Sequence, residues 1–162
     1  ATEHDNVTRI IDFDLGASML SAGTGAVSYS SGIRITFVDA EEGQRDWAGS
    51  TPADVVTGGA TVYWLWETPA TGSKNCRWRV GVGQQFDGAA ASFNSLLDNT
   101  TDYAIDGTAH LAQISSVTLS SNLTSGRARI SLTLIRVANH VNDTVGDTVS
   151  LRAAWIEYTA TQ

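Results

Sequence analysis

The sequence predicts an all-β protein: an antiparallel β-sandwich of jelly-roll-like organisation with seven to eight strands. Three observations carry this expectation. Apolar residues recur with period two, the runs that hold them are rich in β-branched and aromatic side chains, and clusters of Gly, Ser, Asn and Asp separate the runs. No helical pattern is long enough to cross between parallel strands, which leaves two antiparallel sheets packed face to face.

Strands are expected at 7–14, 32–39, 61–68, 76–83, 110–119, 127–137 and 149–159, with a short additional run at 26–30. The clearest is the run from Arg127, where Ala128, Ile130, Leu132 and Leu134 alternate with Arg127, Arg129, Ser131 and Thr133. Such alternation marks a strand with one buried face. Tyr63-Trp64-Leu65-Trp66 and Arg77-Trp78-Arg79 lie on consecutive runs joined by a turn-rich segment, so a hairpin is expected in which Trp66 faces Trp78 and both arginines point outward. Residues 93–97 read as one turn of helix within a loop. Residues 40–59, with Trp47 near their centre, read as a long irregular connection: either a functional or assembly contact, or an ordinary loop pinned by one buried indole.

A chain of 162 residues that is 42% hydrophobic suits one domain over 1–162, with the polar, unpatterned stretch 1–6 as a flexible amino-terminal arm. The net charge of -7 repels phosphate backbones and anionic lipid, so neither nucleic acid nor membrane is an expected partner. The stretch 1–5 lacks the basic and apolar regions of a signal peptide, and no apolar run approaches the roughly 20 residues of a membrane span. Those features predict a soluble chain. Cys76 stands alone, which excludes an internal disulfide and a Cys-rich zinc site.

Trp64, Trp66 and Trp78 admit two readings. They fill the core, or Trp64 and Trp66 form an aromatic platform for a sugar ring, with Asp, Asn and Gln side chains binding its hydroxyls. Three acidic clusters, Asp12/Asp14 with Gly16, Asp98/Asn99/Asp102 with Asp106, and Asn142/Asp143 with Asp147, offer oxygen ligands to a hard cation. The closing ligands of a calcium loop are missing, and Asx turn chemistry accounts for the same residues. His4, His110 and His140 lack the spacing of a zinc protease, and the sequons at Asn6, Asn99, Asn122 and Asn142 are expected by chance from composition. No Gly-x-Ser-x-Gly elbow, Walker loop or dinucleotide fingerprint occurs. No cofactor and no enzymatic activity are therefore expected, and Asp12, Glu67 and Glu157 are the acids to which a glycosidase reading would turn.

One resemblance spans residues 60–159. An aromatic strand, Thr61-Val-Tyr-Trp-Leu-Trp66, is followed by Arg77-Trp-Arg-Val-Gly-Val82, a loop with a small helical turn and an acidic stretch at 88–106, and a strand at 110–119. A Gly-led strand ending in Arg136, an Asn142-Asp143-Thr144 turn and a last strand ending in an aromatic complete the series. In order and spacing these pieces resemble the β-sandwich structural modules of tailed bacteriophages, whereas the first sixty residues match nothing comparable. The resemblance implies a viral structural protein: a homotrimeric virion accessory subunit without catalytic residues, carried on the virion surface and decorating a capsid or tail through its major protein. Trp47, Arg77, Arg79 and Arg129 are then candidate interface residues, the arginines pairing with acids across subunits. The alternative is a carbohydrate-binding module of β-sandwich fold, in which Trp64, Trp66 or Trp47 stacks on a sugar and an acidic loop holds calcium.

Overall fold

The computed structural model describes residues 6–23, 26–28, 33–86, 88, 94–125 and 129–161. Eleven strands are present among them: β1 (Val7–Asp12), β2 (Met19–Gly23), β3 (Ala26–Ser28), β4 (Arg34–Phe37), β5 (Glu42–Ser50), β6 (Thr61–Glu67), β7 (Asn75–Gln85), β8 (Asn94–Ala104), β9 (Gln113–Thr118), β10 (Arg129–Val137) and β11 (Val149–Ala160). They form an antiparallel sandwich. One sheet has the order β3-β4-β11-β6-β9, with β1 also paired to β11, and the other has the order β2-β5-β10-β7-β8. From β4 onward the chain changes sheet at nearly every connection, which is the jelly-roll habit the sequence predicts.

The alternation read from Arg129 onward is the alternation observed. Ile130, Leu132 and Leu134 are fully buried, and Ser131 and Thr133 lie on the outer face. Trp64, Trp66 and Trp78 fill the space between the sheets, with no exposed surface. Trp78 is the hub: its ring meets Trp64 at 6.2 Å, Trp66 at 6.0 Å and Phe37 at 5.4 Å, each edge-to-face, the arrangement the ring quadrupoles favour. The Trp66 indole N–H donates to Ser115 Oγ at 2.9 Å.

Several expectations are corrected. Trp66 and Trp78 do meet, but not across a hairpin, because β6 and β7 lie in opposite sheets and the contact spans the sandwich. The segment 40–59 contains β5, a nine-residue strand. Its inward positions are Gly43, Arg45 and Trp47, of which only the last is large and apolar, so the period-two signal is hidden. Residues 94–97 begin β8 rather than a helical turn, and Phe93 lies outside the described residues. The run expected at 110–119 is shorter, since β9 starts at Gln113 and His110 sits in a turn at φ 60°. The arm 1–5, with His4, lies outside the described residues, while Asn6 is exposed.

At the end of the sandwich where β10 leads into β11, Arg136 is wholly buried. Its Nε donates to Asp143 Oδ2 at 3.2 Å and its Nη2 to Asp143 Oδ1 at 3.0 Å, while Nη1 reaches the carbonyls of Asp147 at 2.6 Å, Val38 at 3.3 Å and Phe37 at 3.4 Å. The Asp143 side chain is equally buried and also accepts the Arg77 amide at 3.0 Å. Each buried charge thus has a full set of partners, the condition under which such a pair is tolerated. This pair ties the turn after β4 and the 138–148 loop to the core. Cys76 lies beside it, and burial pushes its thiol pKa well up.

Candidate functional site

The outer face of the five-stranded sheet carries a groove of about 330 Å³. Strand register explains its shape. Three rows run across the strands in the order β5, β10, β7, β8: Gln44–Ile135–Arg79–Thr100, Asp46–Thr133–Gly81–Asp98, and Ala48–Ser131–Gly83–Ser95. In the second and third rows β10 and β7 bear only Thr133, Gly81, Ser131 and Gly83, so a trough opens there, with Ile135 and Arg79 of the first row rising at its end.

The walls are polar and held in place. On one side Arg79 forms a two-pronged bond to Asp98, Nε to Oδ1 and Nη2 to Oδ2, both at 2.8 Å. Hydrogen bonding to Asp98 raises the Arg79 pKa, and the same bond lowers that of the Asp98 carboxyl. On the other side Gln44 Nε2 donates to both oxygens of Asp46, at 3.1 and 3.0 Å, and Thr133 Oγ1 donates to Asp46 Oδ1 at 2.6 Å. A carboxylate only accepts, so the Gln44 amide must turn its nitrogen to Asp46 and its carbonyl oxygen away. The groove thus offers a fixed acceptor at Gln44, the remaining guanidinium donors of Arg79 and the hydroxyls of Ser131 and Ser95, with Ile135 and Leu97 as apolar patches.

The outer face of the six-stranded sheet differs. There Tyr63 and Trp155 stack at 5.4 Å with planes 10° apart, and the Trp155 indole N–H points at Glu157 at 3.4 Å. Burial first, and then Glu157, raise the Tyr63 pKa. Ile10 and Ile114, 57% and 61% exposed, share this face.

The residues singled out from the sequence fall on both sides of the sandwich. Trp64 and Trp66 are inside and present no ring face to a sugar, which corrects the platform expectation. Trp47 is buried on β5, its indole N–H bonded to the Asp14 carbonyl at 2.9 Å. Arg77 and Arg79 pair with Asp102 and Asp98 of their own chain. Arg129 is exposed at the start of β10. Several of the acids read as cation ligands are occupied otherwise: Asp14 caps a short 3-10 turn through Gly16 N at 2.8 Å, and Asp143 holds Arg136. Among the described residues no three His, Cys, Asp or Glu side chains gather to hold a metal ion. Of the acids considered for glycoside cleavage, Glu67 binds Arg152, Glu157 lies beside Tyr63 and Trp155, and Asp12 lies at the exposed end of β1. The groove residues Gln44, Gly81 and Thr133 carried no signal in the sequence.

No protein-family model matches the sequence, and no curated protein is similar to it. Solved structures do share its fold. A family 35 carbohydrate binding module from Clostridium thermocellum superposes with a TM-score of 0.55 at 12% identity, over 91% of this chain and 97% of its own. The CBM35 from Cellvibrio japonicus Abf62 gives 0.54 at 10% identity, over 93% and 92%. The CBM36-1 domain of a multidomain xylanase from the hindgut metagenome of Trinervitermes trinervoides gives 0.53 at 9% identity, over 93% and 96%. These likenesses show the fold and correct the phage resemblance. These three structures are carbohydrate-binding modules and not virion proteins, so the virion role, the homotrimer, the capsid or tail partner and the virion-surface location do not stand.

Proposed function

We propose that this chain is a non-catalytic carbohydrate-binding module whose glycan lies in the groove of the five-stranded sheet. The observation that carries the reading is the groove itself: the Arg79–Asp98 and Gln44–Asp46 walls hold donors and acceptors rigidly on either side of a small-residue floor. Sugars require that combination, because each ring presents hydroxyls around its rim and C–H groups on its faces. The side chains need no rearrangement to receive a ligand, which lowers the cost of binding. The shared fold of the carbohydrate-binding modules supports the same reading.

Affinity electrophoresis of the intact chain through a panel of soluble plant, fungal and bacterial polysaccharides tests it. Retardation by at least one polysaccharide is expected, with affinity at least tenfold lower in Arg79→Ala and Gln44→Ala. Free migration in every gel overturns the reading, and unchanged retardation of both variants removes the groove as the site.

A further inference from the structure

Gly81 is the groove residue that the fold does not require. It lies in the interior of β7, where glycine is less stable than alanine. Its backbone is not in the left-handed region, and a Cβ placed on it would stand 3.5 Å from Thr133 Cβ and 3.9 Å from the Leu97 carbonyl oxygen, ordinary van der Waals contacts. Backbone and space therefore both admit a side chain at a position where stability would gain from one. What its absence supplies is depth: on the row Asp46–Thr133–Gly81–Asp98, position 81 is where the trough reaches the main chain.

Charge narrows what fits there. Among the described residues of the groove and its walls, Arg79 and Asp98 neutralise one another in a two-pronged pair, and the remaining formal charge is the Asp46 carboxylate, which accepts from Gln44 and Thr133. An anionic ligand meets no unmatched cation in the groove, and it approaches a chain of net charge -7. Resting on the glycan reading of the groove, we propose that the ligand is an uncharged glycan, one ring of which packs directly on the backbone at Gly81, and that acidic glycans are rejected.

Isothermal titration of the intact chain with xylohexaose, cellohexaose, mannohexaose and hexagalacturonate tests this, together with the variants Gly81→Ala, Gly81→Leu and Asp98→Asn. At least one neutral hexasaccharide should bind, and hexagalacturonate at least tenfold more weakly. Gly81→Leu should abolish binding and Gly81→Ala should weaken it severalfold at an unchanged or raised Tm; if the leucine variant does not fold, the alanine variant decides. Asp98→Asn, which leaves the Arg79 charge unmatched, should improve hexagalacturonate binding in a salt-sensitive manner. Equal or tighter binding of hexagalacturonate by the unmodified chain overturns the neutral-ligand assignment, and wild-type affinity in folded Gly81 variants overturns the seat on Gly81. Either result leaves the glycan reading standing. Failure of all four oligosaccharides to bind counts against the glycan reading itself and takes this inference with it.

Discussion

The molecule contains two arginine–aspartate pairs of nearly the same geometry in opposite settings. Arg136 and Asp143 are both wholly buried, and their remaining donors and acceptors are spent on backbone carbonyls and amides of three segments. Arg79 and Asp98 are about half exposed, at 50% and 57%, and only one edge of the guanidinium is engaged. The difference is one of dielectric and of completeness. A buried pair stripped of one member leaves a charge that water cannot reach, whereas an exposed pair loses little because water replaces the partner. The first pair therefore belongs to the fold. The second is inexpensive to hold and still has donors to offer a ligand.

The sharpest way to break this contrast is to remove the arginine from each. Arg136→Met should cost about 3–5 kcal/mol in a urea melt, since it strands the Asp143 carboxylate in the core. Adding Asp143→Leu should restore a large part of that loss, and a double variant as unstable as the single would deny that the stranded charge is the cause. The Cys76 thiol, beside the same pair, should resist a thiol reagent in the native protein and react at the rate of unfolding, because burial keeps it protonated as well as covered. Rapid modification without loss of structure would show this end of the sandwich to be open.

Smaller effects are expected at the exposed pair. Arg79→Ala should leave stability within about 0.5 kcal/mol of the parent while reducing glycan affinity at least tenfold. Arg79→Lys keeps the charge but not the planar fork, so its affinity should fall between those two. The smallest effect is that of pH. The Asp98 carboxyl is held below its ordinary value of 3.8 by Arg79, so its contribution to stability is complete above that pH and is lost as the pH falls through the lower, folded-state value. Melting curves between pH 5 and 2 should show Asp98→Asn converging with the parent at the acid end, and a gap that persists there would exclude this pair as its source.

Much of the fold was legible because a sandwich strand must alternate. Ile130, Leu132 and Leu134 against Ser131 and Thr133 defined β10 outright. Strand β5 escaped because Gly43 and Arg45 occupy inward positions that a pattern search expects to be apolar. The likeness to phage modules rested partly on Arg136 followed by Asp143-Thr144. That spacing reports a buried ion pair, which any sandwich turning at this point can use, and it is silent about ligand or partner.

Composition and period thus determined by themselves that this chain is a two-sheet β-sandwich and that its single cysteine makes no internal disulfide. Alternation assigns each residue to a face, but it does not name the strand across the sheet or the sheet across the core. The tertiary structure alone decided that β6 and β7 part company into opposite sheets, that Trp64 and Trp66 are sealed inside, and that Gln44, Arg79, Gly81, Asp98 and Thr133 meet on one surface. Those five come from four strands between residues 42 and 137. Their neighbourhood is created by register, a long-range property that no local pattern encodes.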